Sequence, residues 1–350
     1  MNPRPLVFAL LLLPLAAFAQ SFASSAEEAD WQAVVALEAG PQSVEIHTRE
    51  QARTVTLAHL FRQETALRAF LKKYPQSPRA VDACLRLARL LATRSDLTGK
   101  VGEFDAALRL LDEAIPTAPE ERRADLEFAK IALAMHRVAV PTDQDREALT
   151  AQMSAFQRRY PNDRRVAALM AEVATLYDNQ PRRKEALLTE ALAAARTPEL
   201  HARIEDDLRR LSFLGQPIEV RGVTADGAEV DLARFRGRVT LVYFFASWSA
   251  PSLAGIEEVE YLRKTFARES LAVIGVSLDP TREALDATLK ARSLTWPVIF
   301  DGKGWQSPLV RSLSLNALPT LWVVDRKGCL RTLNARTESE ALVRELLREK

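Results

Sequence analysis

The stretch Val239–Ser252, VTLVYFFASWSAPS, decides how the second half of this chain is read. Its first seven residues are a continuous apolar run rich in β-branched and aromatic side chains, the pattern of a strand buried on both faces. Its last residues are a helix start. Serine is a favoured N-cap, so Ser249 can offer its oxygen to the orphan amides of a following helix. Pro251 suits the first turn, where no amide hydrogen is needed. A buried strand running straight into a helix is the unit from which parallel or mixed sheets covered on both faces are built.

The flanking sequence extends that unit. Short β-like runs, PIEVRGV, AEVDL, LAVIGVSLD, WPVIFDG and LPTLWVVD, alternate with helical patterns at Leu253–Arg268, Arg282–Ser293, Ser307–Ser314 and Glu338–Arg348. The first two runs flank Asp226-Gly227, a turn signal that predicts an added N-terminal hairpin. The α/β pattern begins at Leu214-Gly215-Gln216-Pro217, where composition changes, and gives a domain over residues 214–350.

Residues 51–213 read as helix almost throughout, with apolar residues at i, i+3, i+4 and i+7 and prolines at the expected stops. The segment repeats. FLKKYPQSPRAVDACLRLARLLATR, from Phe70, returns as FQRRYPNDRRVAALMAEVATLYDNQ, from Phe156. Each copy is long enough for two helical hairpins, and its local pattern resembles tetratricopeptide-type solenoids. An irregular helical bundle is the alternative. Either arrangement offers helical surfaces to a partner. Residues 20–50 form a leader segment, polar at first, with one short amphipathic piece at Trp31–Leu37.

The first residues have the form of a secretory signal: Arg4, the apolar run LVFALLLLPLAAF, and the small-x-small site Ala17-Phe18-Ala19. Cleavage after Ala19 is expected, giving a signal peptide over residues 1–19 and a periplasmic or extracellular product. Membrane attachment is expected only if that segment stays uncleaved. Export permits disulfides, yet the chain has two cysteines, Cys84 and Cys329. Cys84 shares a helical face with Val81, Ala88 and Leu91, and Cys329 follows a tight turn and alternates outward against Leu330. One buried and one outward thiol predict no bridge between them.

Charge narrows the function classes. Lys and Arg number 48 against 46 Asp and Glu, a formal net charge of +2, so no basic field for nucleic acid is implied. Clusters such as Pro181-Arg182-Arg183-Lys184 read as solvated helix starts. No His/Cys cluster has metal-ligand spacing, and no glycine-rich phosphate loop is present; neither metal nor cofactor is expected. A serine hydrolase built on Ser249 would need a base, but His47, His59, His136 and His201 all precede the composition change.

From Gln216 onward the chain resembles the TlpA-like/ResA-like thioredoxins, exported relatives within the redoxin (AhpC/TSA) superfamily. The resemblance rests on DGAEVDL, FRGRVTLVYFFASWSAPS, VIGVSLD, WPVIFD and LNALPTLWVVDRKG, in that order. It implies a thioredoxin-like α/β domain with an N-terminal β-hairpin. It also implies a W-C-x-x-C motif after the strand, whose first cysteine attacks a disulfide. Here Ser249 and Ser252 stand at both sulfur positions. A serine pair cannot form or exchange a disulfide, because the reaction needs a thiolate. Gly255-Ile256-Glu257 replaces the family's Glu-x-Pro, and Phe245 replaces a tryptophan.

The resemblance further implies that Pro319, in Leu318-Pro319-Thr320, is cis and faces the motif, and that the backbone before it pairs with an extended partner segment. Trp248, Ala250, Pro251, Leu318, Pro319 and Thr320 are the candidate binding residues, and no catalytic residue is assigned. The expected function is an exported, redox-inactive protein-binding or assembly module whose partner is an exported protein or peptide. The alternatives are a thiol-disulfide or peroxide oxidoreductase working through Cys329 or partner thiols, and a purely structural appendage to the helical domain.

Overall fold

A proline disfavours the helical conformation for the residue before it, and the chain uses this twice in the same way. Tyr74 ends one helix ahead of Pro75 at φ −129°, ψ 60°; Tyr160 ends another ahead of Pro161 at φ −128°, ψ 60°. The computed structural model describes residues 25–41, 47–138, 141–266, 270–335 and 339–349. It divides into two compact units, Met1–Ala194 and Ala195–Lys350. The signal segment, residues 1–19, lies outside the described residues.

The first unit is helical among its described residues. It comprises α1 (Ser25–Ala36), α2 (Arg49–Lys73), α3 (Ala80–Thr98), α4 (Val101–Ala114), α5 (Glu120–Arg137), α6 (Asp143–Arg159), α7 (Val166–Ala174) and α8 (Pro181–Ala194). Each packs mainly on its neighbours in sequence. Capping boxes start α2 at Thr48 and α6 at Thr142. Phe70 and Phe156, both buried, lie one turn before the two tyrosines and touch their rings, with centroids 5.2 and 5.0 Å apart.

The segment read as a leader supplies a helix to this core. Trp31 and Val34 of α1 are buried, because an amphipathic helix leaves its apolar side no other place to go. The Trp31 ring meets Phe70 as the Phe128 ring of α5 meets Phe156. Lys73 and the Tyr74 hydroxyl converge on Asp30 at 2.7 and 2.8 Å; Arg159 and the Tyr160 hydroxyl converge on Glu127. The repeat therefore pairs α1–α4 with α5–α8, and α1 is the first helix of its first copy.

A partly buried charge cluster ties α2, α3 and α4 together. The Arg94 guanidinium, 7% exposed, pairs with Glu64 and donates to Glu103 at 2.6 Å. Burial pushes the Glu64 carboxyl up, but hydrogen bonds from Arg68 and Arg94 more than offset this and hold it below the usual range. Its stabilisation is thus complete above the unfolded carboxyl value and lost as pH falls through the lower folded one. Removing one partner from such a cluster leaves uncompensated charge. Arg94→Met should cost about 3 kcal/mol at pH 7 in urea unfolding followed by helical circular dichroism. The deficit of Glu64→Gln should shrink toward pH 3. Equal deficits of Glu64→Gln at both pH values would contradict this.

The second unit opens with α9 (Pro198–Ser212), one helix earlier than the change in composition. Arg210 on α9 donates to the Ser314 carbonyl at 2.8 Å, a contact within this unit that helical periodicity alone does not reveal. The hairpin follows: β1 (Arg221–Val223) pairs antiparallel with β2 (Glu229–Asp231), turning at Gly227, where φ is +87°. Then come β3 (Val239–Phe245), α10 (Ala250–Thr265), β4 (Leu271–Ser277), α11 (Arg282–Arg292), β5 (Val298–Ile299), α12 (Pro308–Ser312), β6 (Thr320–Val324), β7 (Leu330–Thr332) and α13 (Ser339–Arg348). The sheet order is β5-β4-β3-β6-β7, with β3–β4 and β4–β5 parallel and β3–β6 and β6–β7 antiparallel.

Alternate residues of β3 feed two cores. Leu241, Tyr243 and Phe245 pack with Ile256, Val259 and Leu262 of α10 and with α13, while Val242, Phe244 and Ala246 pack with Val310, Trp322 and the hairpin. This two-sided burial is why the run is apolar without alternation. Short β7 was not among the strand-like runs, having only Leu330 fully buried.

Candidate functional site

The register of β3 against β6 brings the two sequence motifs to one end of the sheet. Phe244 pairs with Thr320, so the chain leaving β3 toward WSAPS and the chain entering β6 from Leu318-Pro319 run side by side. The Leu318–Pro319 peptide is cis. Thr320 is buried and its hydroxyl donates to the Ala317 carbonyl at 2.8 Å, while Leu318 and Pro319 are half-buried. Trp248 stands 58% exposed, and Ala250 and Pro251 are also exposed.

The turn between β3 and α10 is held from beneath by a residue that sequence reading passed over. Asp279, fully buried just after β4, accepts from the Ser247 amide at 2.8 Å and the Ser247 hydroxyl at 2.7 Å. Its other oxygen accepts from the Ser277 hydroxyl at 2.8 Å. Only its place at the end of LAVIGVSLD, where an apolar strand closes on a carboxylate, hinted at this. The aspartate fixes Ser247, and Trp248 then projects outward at the apex.

Ser249 caps α10 as its sequence predicts. Its backbone is extended (φ −98°, ψ 103°), and its oxygen accepts from the Ser252 amide at 3.3 Å. Pro251 falls in the first turn. Ser252 differs. Its hydroxyl is wholly buried and makes no hydrogen bond among the described residues. Such a place suits a thiol, which tolerates apolar surroundings, better than a hydroxyl, which loses water without replacement.

Tyr243 was also missed, being read as one more apolar strand residue. It stacks on Phe245 with centroids 5.7 Å apart, and its hydroxyl donates to the Ser252 carbonyl at 2.6 Å. That hydroxyl lies where a side chain at position 255 would begin, so a Cβ added to Gly255 would collide with it. The glycine that replaces the family's glutamate is thereby explained by packing. Neighbouring Trp296 donates to Glu260 at 2.8 Å, which fixes the WPV segment against α10.

The two thiols lie elsewhere. Cys84 is buried in α3; desolvation, with the Glu113 charge added, pushes its thiol up to about 12. Cys329 is half-buried, and its amide donates to Asp325 at 2.9 Å in the turn after β6. Pro319 precedes the other end of β6, so the two are separated by roughly 20 Å of extended chain. No disulfide joins the cysteines. His201 falls in the second unit, exposed on α9 beside Glu205. Among the described residues no group of three metal-ligating side chains is gathered, and no helix is long and apolar enough to cross a membrane.

These contacts give each serine a different expected outcome. Ser249→Ala should destabilise the second unit by about 1 kcal/mol through the lost cap, whereas Ser252→Ala should be neutral or slightly stabilising; chemical unfolding of both variants checks the contrast. Gly255→Ala should cost about 2 kcal/mol by overpacking. In a Tyr243→Phe background, itself about 1 kcal/mol less stable, that penalty should fall by more than half. Additive effects in this double-mutant cycle would contradict the contact.

Residues 215–333 match the AhpC/TSA family. Among curated proteins, the chain is 26% identical over 117 residues to the thioredoxin-like protein YneN of Bacillus subtilis, covering 33% of this chain and 66% of that one. It is 22% identical over 108 residues to sporulation thiol-disulfide oxidoreductase A of the same organism, covering 30% and 63%. The chain thus spans slightly less than two thirds of the length of these relatives. A solved thiol-disulfide oxidoreductase from Bacteroides fragilis is 26% identical and covers 37% of this chain and 98% of its own, at a TM-score of 0.35. With the sheet order, the cis proline and the strand-to-helix turn already in place, the C-terminal domain is an AhpC/TSA redoxin domain of thioredoxin-like fold, set behind a helical N-terminal region.

Proposed function

We propose that this protein is an exported, redox-inactive TlpA-like binding or assembly module, with a tetratricopeptide-like helical domain ahead of the thioredoxin-like one. The observation that carries this reading is the pair of serines at the positions matching the two sulfur atoms. Ser249 serves as a helix cap and the Ser252 hydroxyl is sealed beneath the first turn of α10. Neither can carry the two-electron exchange that a thiolate performs. Export is supported by the signal-like residues 1–19.

Binding is supported by what surrounds the serines. Exposed Trp248, Ala250 and Pro251 follow β3 at the same end of the sheet where the half-buried Leu318-Pro319 segment enters β6, which suits an extended segment of an exported protein or peptide whose backbone adds beside Leu318. The names of the relatives favour a second reading, a thiol-disulfide or peroxide oxidoreductase. Its thiol would have to be Cys329 or a partner's, and Cys329 sits at the far end of β6 from the cis proline.

Insulin reduction by dithiothreitol separates the two. The native chain should not accelerate the reaction, and alkylating Cys329 should change nothing; turnover by the native chain would overturn the proposal. Ser249→Cys with Ser252→Cys should yield a dithiol that oxidises to one bridge, measured by thiol count. A photo-crosslinker at Ala250 should capture partner from the exported fraction, and Pro319→Ala should reduce the yield severalfold. Equal yields would argue for a purely structural appendage.

A further inference from the structure

Helix α12 ends in a way that suits glycine. The Leu315 amide donates to the Val310 carbonyl at 3.1 Å and the Ser314 amide to the Arg311 carbonyl at 3.0 Å, the pair of bonds that closes a helix around a left-handed residue. That residue is Ser314, at φ +49°, where a side chain is disfavoured and glycine is the usual occupant. Ser314 is buried, and Leu313 and Leu315 on either side of it belong to the core that Val242, Phe244 and Trp322 share with the hairpin.

Two side chains of α9 hold this serine. Arg210 donates to its carbonyl at 2.8 Å, and its hydroxyl donates to Asp206 at 3.3 Å. The Arg210 side chain is itself largely buried and pairs with Asp207. A move of Ser314 into an ordinary backbone region would turn its carbonyl away from Arg210, so these contacts offset the cost of a serine at a glycine position. Helix α9 precedes residues 215–333, the part of the chain that matches the AhpC/TSA family. The hold on Ser314 therefore comes from outside the matched segment.

From Ser314 the chain has only Leu315, Asn316, Ala317 and Leu318 in which to reach the cis proline. At the far end the Thr320 hydroxyl holds the Ala317 carbonyl. The Leu318 backbone is thus fixed from two sides, by β6 after it and by α9, through Ser314, before it. We propose that Arg210 and Asp206 are positioning residues of the docking edge: by keeping Ser314 left-handed they set the path of Leu315–Pro319, and with it the direction in which the Leu318 backbone is offered to a partner. This rests on the binding reading above, in which an extended segment adds beside Leu318. It makes α9 a working part of the binding domain rather than a linker to it.

Amide exchange followed by mass spectrometry on the full chain, together with capture by the photo-crosslinker at Ala250, tests this. Arg210→Met should speed exchange across Ser314–Leu318 about tenfold or more while β3 stays as protected as in the native chain, and capture should fall severalfold. A residue that merely stabilised the unit would loosen β3 as well. Because glycine enters the left-handed region freely, adding Ser314→Gly to Arg210→Met should return both readouts to within about twofold of native. Unchanged exchange in Arg210→Met, loosening that spreads equally to β3, a folded double variant that stays loose, or capture that survives the loosening at full yield would overturn the proposal. No capture by the native chain would sink the binding reading instead, and the exchange pattern then still decides whether α9 sets the path of this segment. Should Arg210→Met fail to fold, Asp206→Ala, a change at an exposed carboxylate, should speed the same exchange about threefold with β3 unaffected; no change there would overturn the proposal.

Discussion

A strand in the middle of a sheet covered on both faces can leave it only by turning at once, and the turn has buried amides to satisfy. In this chain that task falls to Asp279. Its carboxylate, fully buried after β4, takes the amide and hydroxyl of Ser247 and is itself steadied by Ser277. A buried carboxylate is tolerated only with such a set of donors. Because Ser247 is held, Trp248 must point outward and Ser249 arrives in the extended conformation that a cap requires. The direction of α10, the packing of Ile256 and Val259 on β3, and the exposed edge beside Pro319 all follow from that one anchored turn.

What the sequence exposed were the features whose cause is local. Apolar continuity marked β3 and β4, Asp226-Gly227 marked the hairpin, and Ser249 with Pro251 marked the helix start. Each is decided by the residue itself and its immediate neighbours. Hidden features were decided across the fold. Asp279 sits 32 residues from the amide it serves, and nothing local separates it from a surface aspartate after a strand. Tyr243 looked like another apolar strand residue, because its hydroxyl finds the Ser252 carbonyl only once α10 lies over the sheet. The leader segment hid a core helix for a similar reason: the apolar residues of α1 are mostly small alanines, and Trp31 and Val34 become core only against Phe70 and its neighbours. β7 is three residues long, too short for any periodicity.

The site and the helical unit alter their chemistry in the same manner, by changing polar groups while keeping the geometry that holds the backbone. In the helical unit, both copies retain an aromatic before Tyr-Pro and an acid on the preceding helix to meet the tyrosine hydroxyl. They differ at one buried position: Arg146 of the second copy donates to the Leu176 carbonyl, where the first copy has Leu60. In the thioredoxin-like unit the strand, the turn and the cis proline are present, with Ser249, Ser252 and Gly255 around the start of α10. Gly255 is informative here. A glutamate at that position would need the space that the Tyr243 hydroxyl now occupies, so tyrosine below and glycine above form a matched pair. Restoring an acid at position 255 without also shortening Tyr243 would force the helix off the sheet.

That coupling bears on whether the serine pair is a minor change from an active enzyme. A thiolate at a helix N-terminus is stabilised by orphan amides and the helix dipole, and it is the nucleophile that attacks a substrate disulfide. Ser249 takes one of those amides, that of Ser252, onto its own hydroxyl oxygen, so part of the electrostatic device that would lower a thiol pKa is used here to close the first turn. The Ser252 hydroxyl, sealed beneath that turn, has no hydrogen-bond partner among the described residues, and the carbonyl of Ser252 is taken by Tyr243. Two cysteines placed in this frame would regain the bond-forming atoms but not the neighbouring acid, whose place is filled. The oxidised bridge would be accessible, and its turnover slow, for a reason that lies in the packing of Tyr243 against Gly255 rather than in the sulfur atoms.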